Sequence, residues 1–529
     1  MTASSTVVVG DAPLTEADVV AVARHRAPVE LSAAARARIA RARAVITALA
    51  VDPVPHYGVS TGFGALATTS IPPDRRADLQ RSLVRSHAAG SGPAVEAEVT
   101  RALMLLRLAT LATGHTGVRP ETADAYVAWC NSDHLPVVPE YGSLGCSGDL
   151  APLAHVALAV MGEGLIAAPD GSLVPATDAG ITPVVLSEKE GLALINGTDG
   201  MLGQLLLACH DLDLLLRTAD LTAAMSVEAM LGTDRVFAAD LAALRPHPGI
   251  AVAAGNLRAL LAGSPIIASH QGPDCTYVQD AYSMRCAPQV SGAARDVLSF
   301  VRQTAGFELR AAVDNPVVVW DTNVARGVDH DAGNAAAGAR VESNGNFHGA
   351  PVAYALDMLA IPVADVASIA ERRTDRLLDV SRSRGLPPFL AADAGVDSGL
   401  MIAQYTQAGV VSELKRLGAP ASVDSIPSSA MQEDHVSMGW SSARKLRRAL
   451  DGLTRVLGIE LLAAARALDL RAPLRPGPAT GAVVAGLREQ VPGPGPDRPL
   501  APEIEAAVEY VRSGAAVAAA DAVLEVPLR

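Results

Sequence analysis

The sequence feature that most constrains this chain is the glycine-rich stretch Gly142-Ser143-Leu144-Gly145-Cys146-Ser147-Gly148-Asp149. Three glycines fall within seven residues around a Cys-Ser pair, and an apolar helix-like run follows. Because glycine has no Cβ atom, backbone groups can approach one another unusually closely in such a stretch. The sequence therefore predicts a tight turn that leads into a helix.

Such a turn permits an uncommon backbone reaction. The amide nitrogen of Gly148 can attack the carbonyl carbon of Cys146 and close a five-membered ring. Loss of water from the ring and from the Ser147 side chain then leaves an exocyclic methylidene, an electrophile made by the chain itself. Two other interpretations remain open: an ordinary tight turn, and a near match to the hydrolase motif Gly-x-Ser-x-Gly, in which Asp149 replaces the last glycine.

The composition favours helices. The 529 residues are 50% hydrophobic but only 3% aromatic, and alanine, the residue with the best helix propensity, is abundant. This length suits two or more core units, or one large helical assembly. The net charge of -13 argues against nucleic-acid binding, because phosphate contacts need clustered lysine and arginine.

The cysteines and the N-terminus indicate a cytoplasmic protein without a metal site. Five cysteines are scattered along the chain without a CxxC pair, which argues against zinc ribbons and thioredoxin-like sites. A reduced, cytosolic chain fits this pattern best. The first residues lack a basic segment followed by a long apolar one, so no signal peptide is predicted. No charge-free apolar run reaches the roughly 18 residues of a membrane span.

The pattern along the chain divides it near residue 195. Residues 1–195 form a loop-rich region that carries the chemistry, and residues 196–529 form a bundle of long helices. Thr15 and Ser32 are predicted helix caps. A polar segment at 321–340 reads as a surface insertion, and the proline- and glycine-rich 472–502 as a linker. Helical patterning is predicted for 75–113, 290–311, 347–376, 397–417 and 436–468. A further long helix begins within 190–200 and continues to about 232.

The glycine-rich core and its flanks closely resemble the signature of the histidine and aromatic amino acid ammonia-lyases. Cys146 stands where most members have alanine, which resembles the actinobacterial members. Further blocks resemble the family in the same order along nearly the whole chain. They are 57–64, 86–90, 114–120, 142–155, 194–198, 278–286, 314–316, 345–349 and 429–438.

The resemblance implies an all-α fold of the fumarase/aspartase-like superfamily. It also implies a homotetramer whose active sites combine residues of more than one subunit. The reaction would be elimination of ammonia from an α-amino acid. The electrophile would be 4-methylidene-imidazol-5-one (MIO), formed autocatalytically from Cys146, Ser147 and Gly148 without an external cofactor. Cys146 would survive as a side chain on the finished ring.

The same resemblance assigns roles to single residues. The resemblance makes Tyr57 the base that removes the β-hydrogen. Without the resemblance, Tyr57 would be interpreted as a hydrogen-bonded loop tyrosine. Asn196 would hold the substrate carboxylate and the ring carbonyl, although its position also suits a helix N-cap. Tyr282 would donate a proton or position groups beside the electrophile.

A second group of residues would bind substrate. Arg285 would clamp the carboxylate, since its planar fork suits bidentate binding; alone it reads as an exposed helical arginine. Gln279, Tyr282 and Arg285 are spaced three apart and are predicted to share a helix face. Pro288 would end that helix.

The resemblance implies that substrate choice is read mainly at two places, Ser86-His87 and Gln432-Glu433-Asp434-His435, of which His87 and Glu433 matter most. Together they can accept from and donate to a polar ring, and Glu433 can pair with an imidazolium, so L-histidine fits best, with trans-urocanate as product. His87 alone would also suit tyrosine, which leaves a tyrosine ammonia-lyase or aminomutase as the alternative. Phe347 would pack on the substrate ring or in the core. Met431 departs from the asparagine of many relatives. A non-catalytic helical scaffold is a third possibility.

Overall fold

The computed structural model describes residues 5–62, 69–272, 278–320 and 339–529. Most of the described chain is helical, as its composition predicts. The helices are α1 (Glu16–His25), α2 (Ala33–Ala50), α3 (Arg76–His87), α4 (Ala97–Ala112), α5 (Pro120–Cys130), α6 (Leu150–Val160), α7 (Glu190–Ile195), α8 (Asp199–Ala229), α9 (Ala239–Ala243), α10 (Pro248–Leu261), α11 (Pro265–Ala268), α12 (Tyr282–Arg285), α13 (Ala287–Glu308), α14 (Ala350–Leu378), α15 (Met401–Leu417), α16 (Gly439–Asp469), α17 (Pro478–Arg488), α18 (Leu500–Arg512) and α19 (Ala515–Asp521).

The strands are short and form small separate sheets. They are β1 (Val7–Val9), β2 (Val29–Leu31), β3 (Ser91–Ala94), β4 (Leu135–Pro136), β5 (Pro139–Tyr141), β6 (Leu165–Ala167), β7 (Leu173–Pro175), β8 (Val317–Trp320) and β9 (Ala339–Glu342). β1 pairs with β2 in parallel, with Val7 opposite Val29. The pairs β3–β5, β4–β6, β6–β7 and β8–β9 are antiparallel.

The described chain separates into two compact units that are discontinuous in sequence. The first comprises residues 1–207, 302–356 and 421–444, and the second comprises 208–301, 357–420 and 445–529. This division differs from a single boundary near 195, because α8, α13, α14 and α16 each contribute residues to both units.

The first unit is built around α4, whose apolar residues are almost completely buried. Helices α1, α2 and α5 pack against it, while α3, α6 and α7 pack against one another. Thr15 caps α1 with a reciprocal Asp18 contact, and Ser32 caps α2, so both predicted caps are confirmed. The predicted helical run 75–113 is interrupted by β3, which pairs with β5 in the chain that leads to the glycine-rich turn.

In the second unit, α17 and α18 pack against α19, and α10 packs against α9 and α17. The segment 472–502, expected as a linker, contains α17 with Val483, Val484 and Leu487 buried. Its Pro478 lies in the first helical turn, where a missing N–H costs nothing. Of the predicted insertion 321–340, residues 321–338 lie outside the described residues.

One helix, α14, is long and apolar enough to cross a membrane by length and composition, and 56% of its most apolar window is buried inside the protein. Core helices of globular proteins pass the same test. The cysteines at 130, 146, 209 and 286 are not joined in disulfide bonds within the described chain.

Candidate active site

Three mutually packed helices of the first unit bring their ends to the candidate site. α3 ends at His87, α6 begins directly after the glycine-rich turn, and α7 ends just before Asn196. Packing of α3, α6 and α7 therefore positions three of the predicted site segments relative to one another.

The glycine-rich turn is held so closely that only glycine fits at its key positions. Gly145 and Gly148 have φ angles of +71° and +78°, a region that residues with a Cβ atom rarely adopt. A Cβ atom added to Gly148 would lie 2.0 Å from the carbonyl oxygen of Gly197. The same oxygen accepts a 2.7 Å hydrogen bond from the amide of Asp149. The Gly197 carbonyl is thus in direct contact with Gly148, the residue whose amide would close the ring.

Asp149 is a fully buried acid that ties the turn to the start of α8. Its carboxylate accepts hydrogen bonds from the Ser143 hydroxyl at 3.1 Å and from the Met201 amide at 2.8 Å. Burial raises the pKa of Asp149 to about 7, although these hydrogen bonds oppose the shift.

The segment 433–438 packs on the same turn from another side. The Ser437 hydroxyl donates to the carbonyl of Gly145 at 3.1 Å, and the Met438 amide donates to the carbonyl of Leu144 at 2.9 Å. Glu433 lies on this segment, near enough to Cys146 for its negative charge to act on the thiol. Burial, and next the negative charge of Glu433, raise the pKa of Cys146 to about 12. The thiol is therefore protonated at neutral pH.

His87 lies close enough to Glu433 for their charges to interact. Burial lowers the pKa of His87, while the Leu83 carbonyl and Glu433 oppose that shift. The ring is therefore neutral at neutral pH. Its Nδ1 is 2.9 Å from the carbonyl oxygen of Leu83. Since a carbonyl only accepts, Nδ1 carries the hydrogen and Nε2 keeps a lone pair.

Asn196 follows α7 as its C-terminal cap, because the predicted long helix is broken into α7 and α8. The alternative of a helix N-cap is therefore wrong. Its Nδ2 donates to the carbonyl of Asn315 at 2.8 Å. Its Oδ1 is buried and has no hydrogen-bond partner within the described part of the chain. Buried acceptors are usually hydrogen-bonded, so the unpaired Oδ1 indicates that a hydrogen-bond donor is missing from this part of the site.

Tyr57 and Phe347 are half-buried on two loops of the same unit. The turn at Tyr57 abuts α7, since a Cβ atom on Gly58 would lie 2.7 Å from Leu192. The loop of Phe347 continues into His348, whose ring stacks on that of His435 at 5.6 Å with planes 3° apart. Both loops therefore contact segments that carry other predicted site residues.

The second unit carries Gln279, Tyr282 and Arg285. Gln279 lies outside any helix, so the prediction that it shares a helix face with Tyr282 and Arg285 is wrong. The helix α12 is only one turn long. Pro288 does not end it but lies in the first turn of α13. The Arg285 guanidinium stacks on the Tyr282 ring at 4.6 Å. Tyr282 is 71% exposed. Arg285 Nε is buried without a hydrogen-bond partner among the described residues.

Several residues that hold the site were not predicted from the sequence. They include Arg107, the ion pair of Lys189 with Asp314, and Gly197. A signal was present for Arg107, the only charged residue in the apolar run of α4 from Ala102 to Ala112. An always-charged side chain at such a position must have partners inside the core.

A cavity of about 400 Å³ also lies in the first unit, lined in part by Thr198, Asp199 and Glu308. None of the predicted site residues lines it. Over the ranges that the structure describes, no cluster of three or more His, Cys, Asp or Glu side chains suits a metal ion.

Comparisons with known proteins cover almost the whole chain. Residues 14–489 match a family described as aromatic amino acid lyase. A histidine ammonia-lyase of Streptomyces avermitilis is 62% identical, over 98% of this chain and 99% of the relative. One of Anaeromyxobacter dehalogenans is 49% identical, over 95% and 97%.

Solved structures show the same all-α fold. A histidine ammonia-lyase from Trypanosoma cruzi superposes with a TM-score of 0.87 at 39% identity, covering 98% of this chain and 96% of that one. A tyrosine aminomutase from Streptomyces globisporus gives a TM-score of 0.90 at 36% identity, covering 99% and 100%.

Proposed function

Because the chain belongs to the aromatic amino acid lyase family, we propose that it is a carbon–nitrogen lyase that converts L-histidine to trans-urocanate and ammonia. One observation carries the choice of histidine. Glu433, a group suited to an imidazole, lies near a second such group, His87, and near the glycine-rich turn, since its charge opposes the lowering of the His87 pKa and raises the pKa of Cys146. The relatives named histidine ammonia-lyase support the same choice.

The turn suits the MIO electrophile as a group made from Cys146, Ser147 and Gly148. The missing Cβ atom of Gly148 leaves room for the Gly197 carbonyl, and any side chain there would collide with it. Once formed, this group supplies an electron-poor carbon that captures the substrate and makes its amino group a better leaving group. Cys146, with its pKa near 12, stays a neutral thiol and does not compete as a nucleophile.

His87 and Glu433 would read the substrate ring as a pair. With the substrate ring protonated as an imidazolium, the Nε2 lone pair of His87 accepts one ring N–H, and the Glu433 carboxylate accepts the other. The Ser428 hydroxyl, 2.7 Å from Glu433 Oε2, orients that carboxylate. A phenol can donate only one such hydrogen bond, and a phenyl ring none, which leaves a buried acceptor unpaired.

Tyr57 and Asn196 would act on the reacting end of the substrate. Tyr57 would take the β-hydrogen, which requires that nearby donors or positive charge favour its ionised form. Asn196 uses one Nδ2 hydrogen on Asn315. Its other Nδ2 hydrogen would hold the substrate carboxylate, and its unpaired Oδ1 would accept from a substrate N–H. Phe347 would pack on the substrate ring.

Arg285, Tyr282 and Gln279 would complete the site in an assembled homotetramer with shared active sites. Arg285 Nε, which has no partner among the described residues, would donate to the substrate carboxylate, and the exposed Tyr282 would stand beside the electrophile. Support for assembly comes from large apolar side chains that are exposed on long helices. They are Phe300, Phe307, Tyr354, Ile361, Ile402 and Tyr405. The lack of disulfide bonds among the described cysteines favours the reducing cytoplasm.

The test uses the purified protein and L-histidine, with urocanate followed by absorbance and ammonia measured separately. Ser147→Ala should abolish turnover, because the methylidene carbon comes from the Ser147 side chain. Ser172→Ala, on an exposed turn, is the control and should leave the rate unchanged. Absence of both products from the parent protein, or full activity in Ser147→Ala, would refute the proposal.

A further inference from the structure

Arg107 is a positive charge enclosed in the core of the first unit. Its side chain is completely buried on α4, between the buried Leu106 and Leu108. A guanidinium remains charged at every relevant pH. Burying it is costly unless charge and hydrogen bonds compensate. The protein therefore has to dedicate specific partners to this side chain.

Those partners lie at the junction of α7 and α8. Arg107 Nη2 pairs with Asp199 Oδ2 at 2.6 Å, at the start of α8. Nη1 donates to the carbonyls of Ala193 at 3.0 Å and Asn196 at 3.1 Å, at the end of α7. Nη2 also donates to the carbonyl of Val313 at 3.2 Å. The planar guanidinium of Arg107 thus binds both ends of the three-residue connection between α7 and α8.

The guanidinium also sets the position of Gly197 within that connection. A Cβ atom added to Gly197 would lie 2.0 Å from Arg107 Nη2, so the two groups are in direct contact. On its other side, the Gly197 carbonyl accepts from Asp149 and lies against the Cα atom of Gly148. Arg107, Gly197 and Gly148 therefore form one continuous line of contacts.

We propose that Arg107 is a positioning residue for the formation of the electrophile: it holds the Gly197 carbonyl against Gly148 so that the Gly148 amide nitrogen stays within reach of the Cys146 carbonyl carbon. This inference rests on the proposed function. Ring closure forms a bond between those two atoms, and the Gly148 amide proton moves to the former carbonyl oxygen. That oxygen leaves as water with the Ser147 amide proton. The Ser147 hydroxyl leaves as a second water with the Cα proton.

Arg107→Lys separates positioning from charge. Lysine keeps the positive charge for Asp199, but a single ammonium on a flexible stem cannot replace the rigid fork that reaches several carbonyls. Because small misplacement of reacting groups can slow a reaction strongly, we expect the two waters to be lost about tenfold more slowly or worse.

The experiment follows intact mass during cell-free synthesis of the full chain. Arg295→Lys is the matched control. Arg295 also pairs with a buried aspartate, Asp220 at 2.7 Å, and also donates to a carbonyl, that of Arg529, but within the second unit. Circular dichroism and melting temperature of both variants report on folding alone. If Arg107→Lys does not fold, Asp199→Asn is the milder variant, since it leaves the carbonyl contacts of Arg107.

Slower loss of two waters in Arg107→Lys than in Arg295→Lys, at comparable melting temperatures, supports the proposal. Equal rates of water loss in the two variants overturn the proposal. A rate that falls only in proportion to the drop in melting temperature, in both variants, overturns it too. If the parent chain itself keeps its full mass, the proposed electrophile fails and the role of Arg107 fails with it. If the parent chain loses both waters, and the Arg107→Lys and Arg295→Lys variants lose them at equal rates, only the role of Arg107 is refuted.

Discussion

At the scale of single residues, Glu433 links substrate choice to the glycine-rich turn. Its carboxylate is oriented by Ser428, and its charge raises the pKa of Cys146 and opposes the lowering of the His87 pKa. The types and order of His87, Cys146 and Glu433 could be predicted from the sequence, because they fall in family blocks, whereas Ser428 lies just outside the block 429–438. Their mutual contacts could not, since 433 and 146 meet only through packing of Ser437 and Met438 on the turn.

Glu433→Gln tests this link, because glutamine keeps the shape and the hydrogen bond to Ser428 but removes the charge. We expect kcat/KM for L-histidine to fall by about tenfold to a hundredfold, the size of a lost hydrogen bond to a charged group. Steady-state kinetics on matched preparations measure it. Asp434→Asn, an exposed neighbour, should change kcat/KM by less than about twofold, since surface changes are usually small. Equal losses in both variants would contradict the assignment.

Asp149 makes a prediction about pH and stability. Burial raises its pKa to about 7, above the ordinary 3.8. Between these values the folded chain holds a proton that the unfolded chain releases. The contribution of Asp149 to the free energy of unfolding therefore falls as pH rises through this window.

Asp149→Asn removes that dependence, and a Ser147→Ala background keeps both chains unmodified. The melting temperature of the chain that retains Asp149, minus that of the Asp149→Asn variant, should decrease between about pH 4 and pH 7 and level off above pH 7, where the folded chain has lost the proton too. A difference that increases over this range would show that burial does not raise the pKa of Asp149.

At the scale of elements, local sequence signals predicted helix starts better than helix breaks. The caps Thr15 and Ser32 act within one turn, so the sequence carries the whole signal. The break between α7 and α8 is different. It is held by Arg107 and by the contact of Gly197 with Gly148, which are distant in sequence. Likewise, the prolines and glycines of 472–502 concealed α17, whose stability comes from burial of its apolar face.

Gly197→Ala tests the α7–α8 junction. The added methyl would lie 2.0 Å from Arg107 Nη2 and 2.5 Å from Asp199 Oδ2, so overpacking should lower the free energy of unfolding by about 1–3 kcal/mol. Urea titration measures the change. The matched control is Gly409→Ala on α15, which has open space around it and should be neutral or stabilising by up to about 1 kcal/mol. A neutral Gly197→Ala would mean that the junction is loosely packed.

At the scale of the whole molecule, the all-α class could be predicted from alanine content and helical periodicity. The arrangement of the chain could not, because α8, α13, α14 and α16 contribute to both units, so no single cut divides the chain. The same holds for the candidate site. His87, Glu433 and the turn meet within the first unit, while Gln279, Tyr282 and Arg285 belong to the second. Only the family resemblance joins the two groups in one function.

The most direct measurement is kcat/KM of the purified parent protein for L-histidine against L-tyrosine, with all products identified. Because Glu433 and His87 offer two acceptors to the two N–H groups of an imidazolium, we predict at least about a hundredfold preference for histidine, with trans-urocanate as its product. Faster formation of coumarate or of a β-amino acid from L-tyrosine would contradict the account.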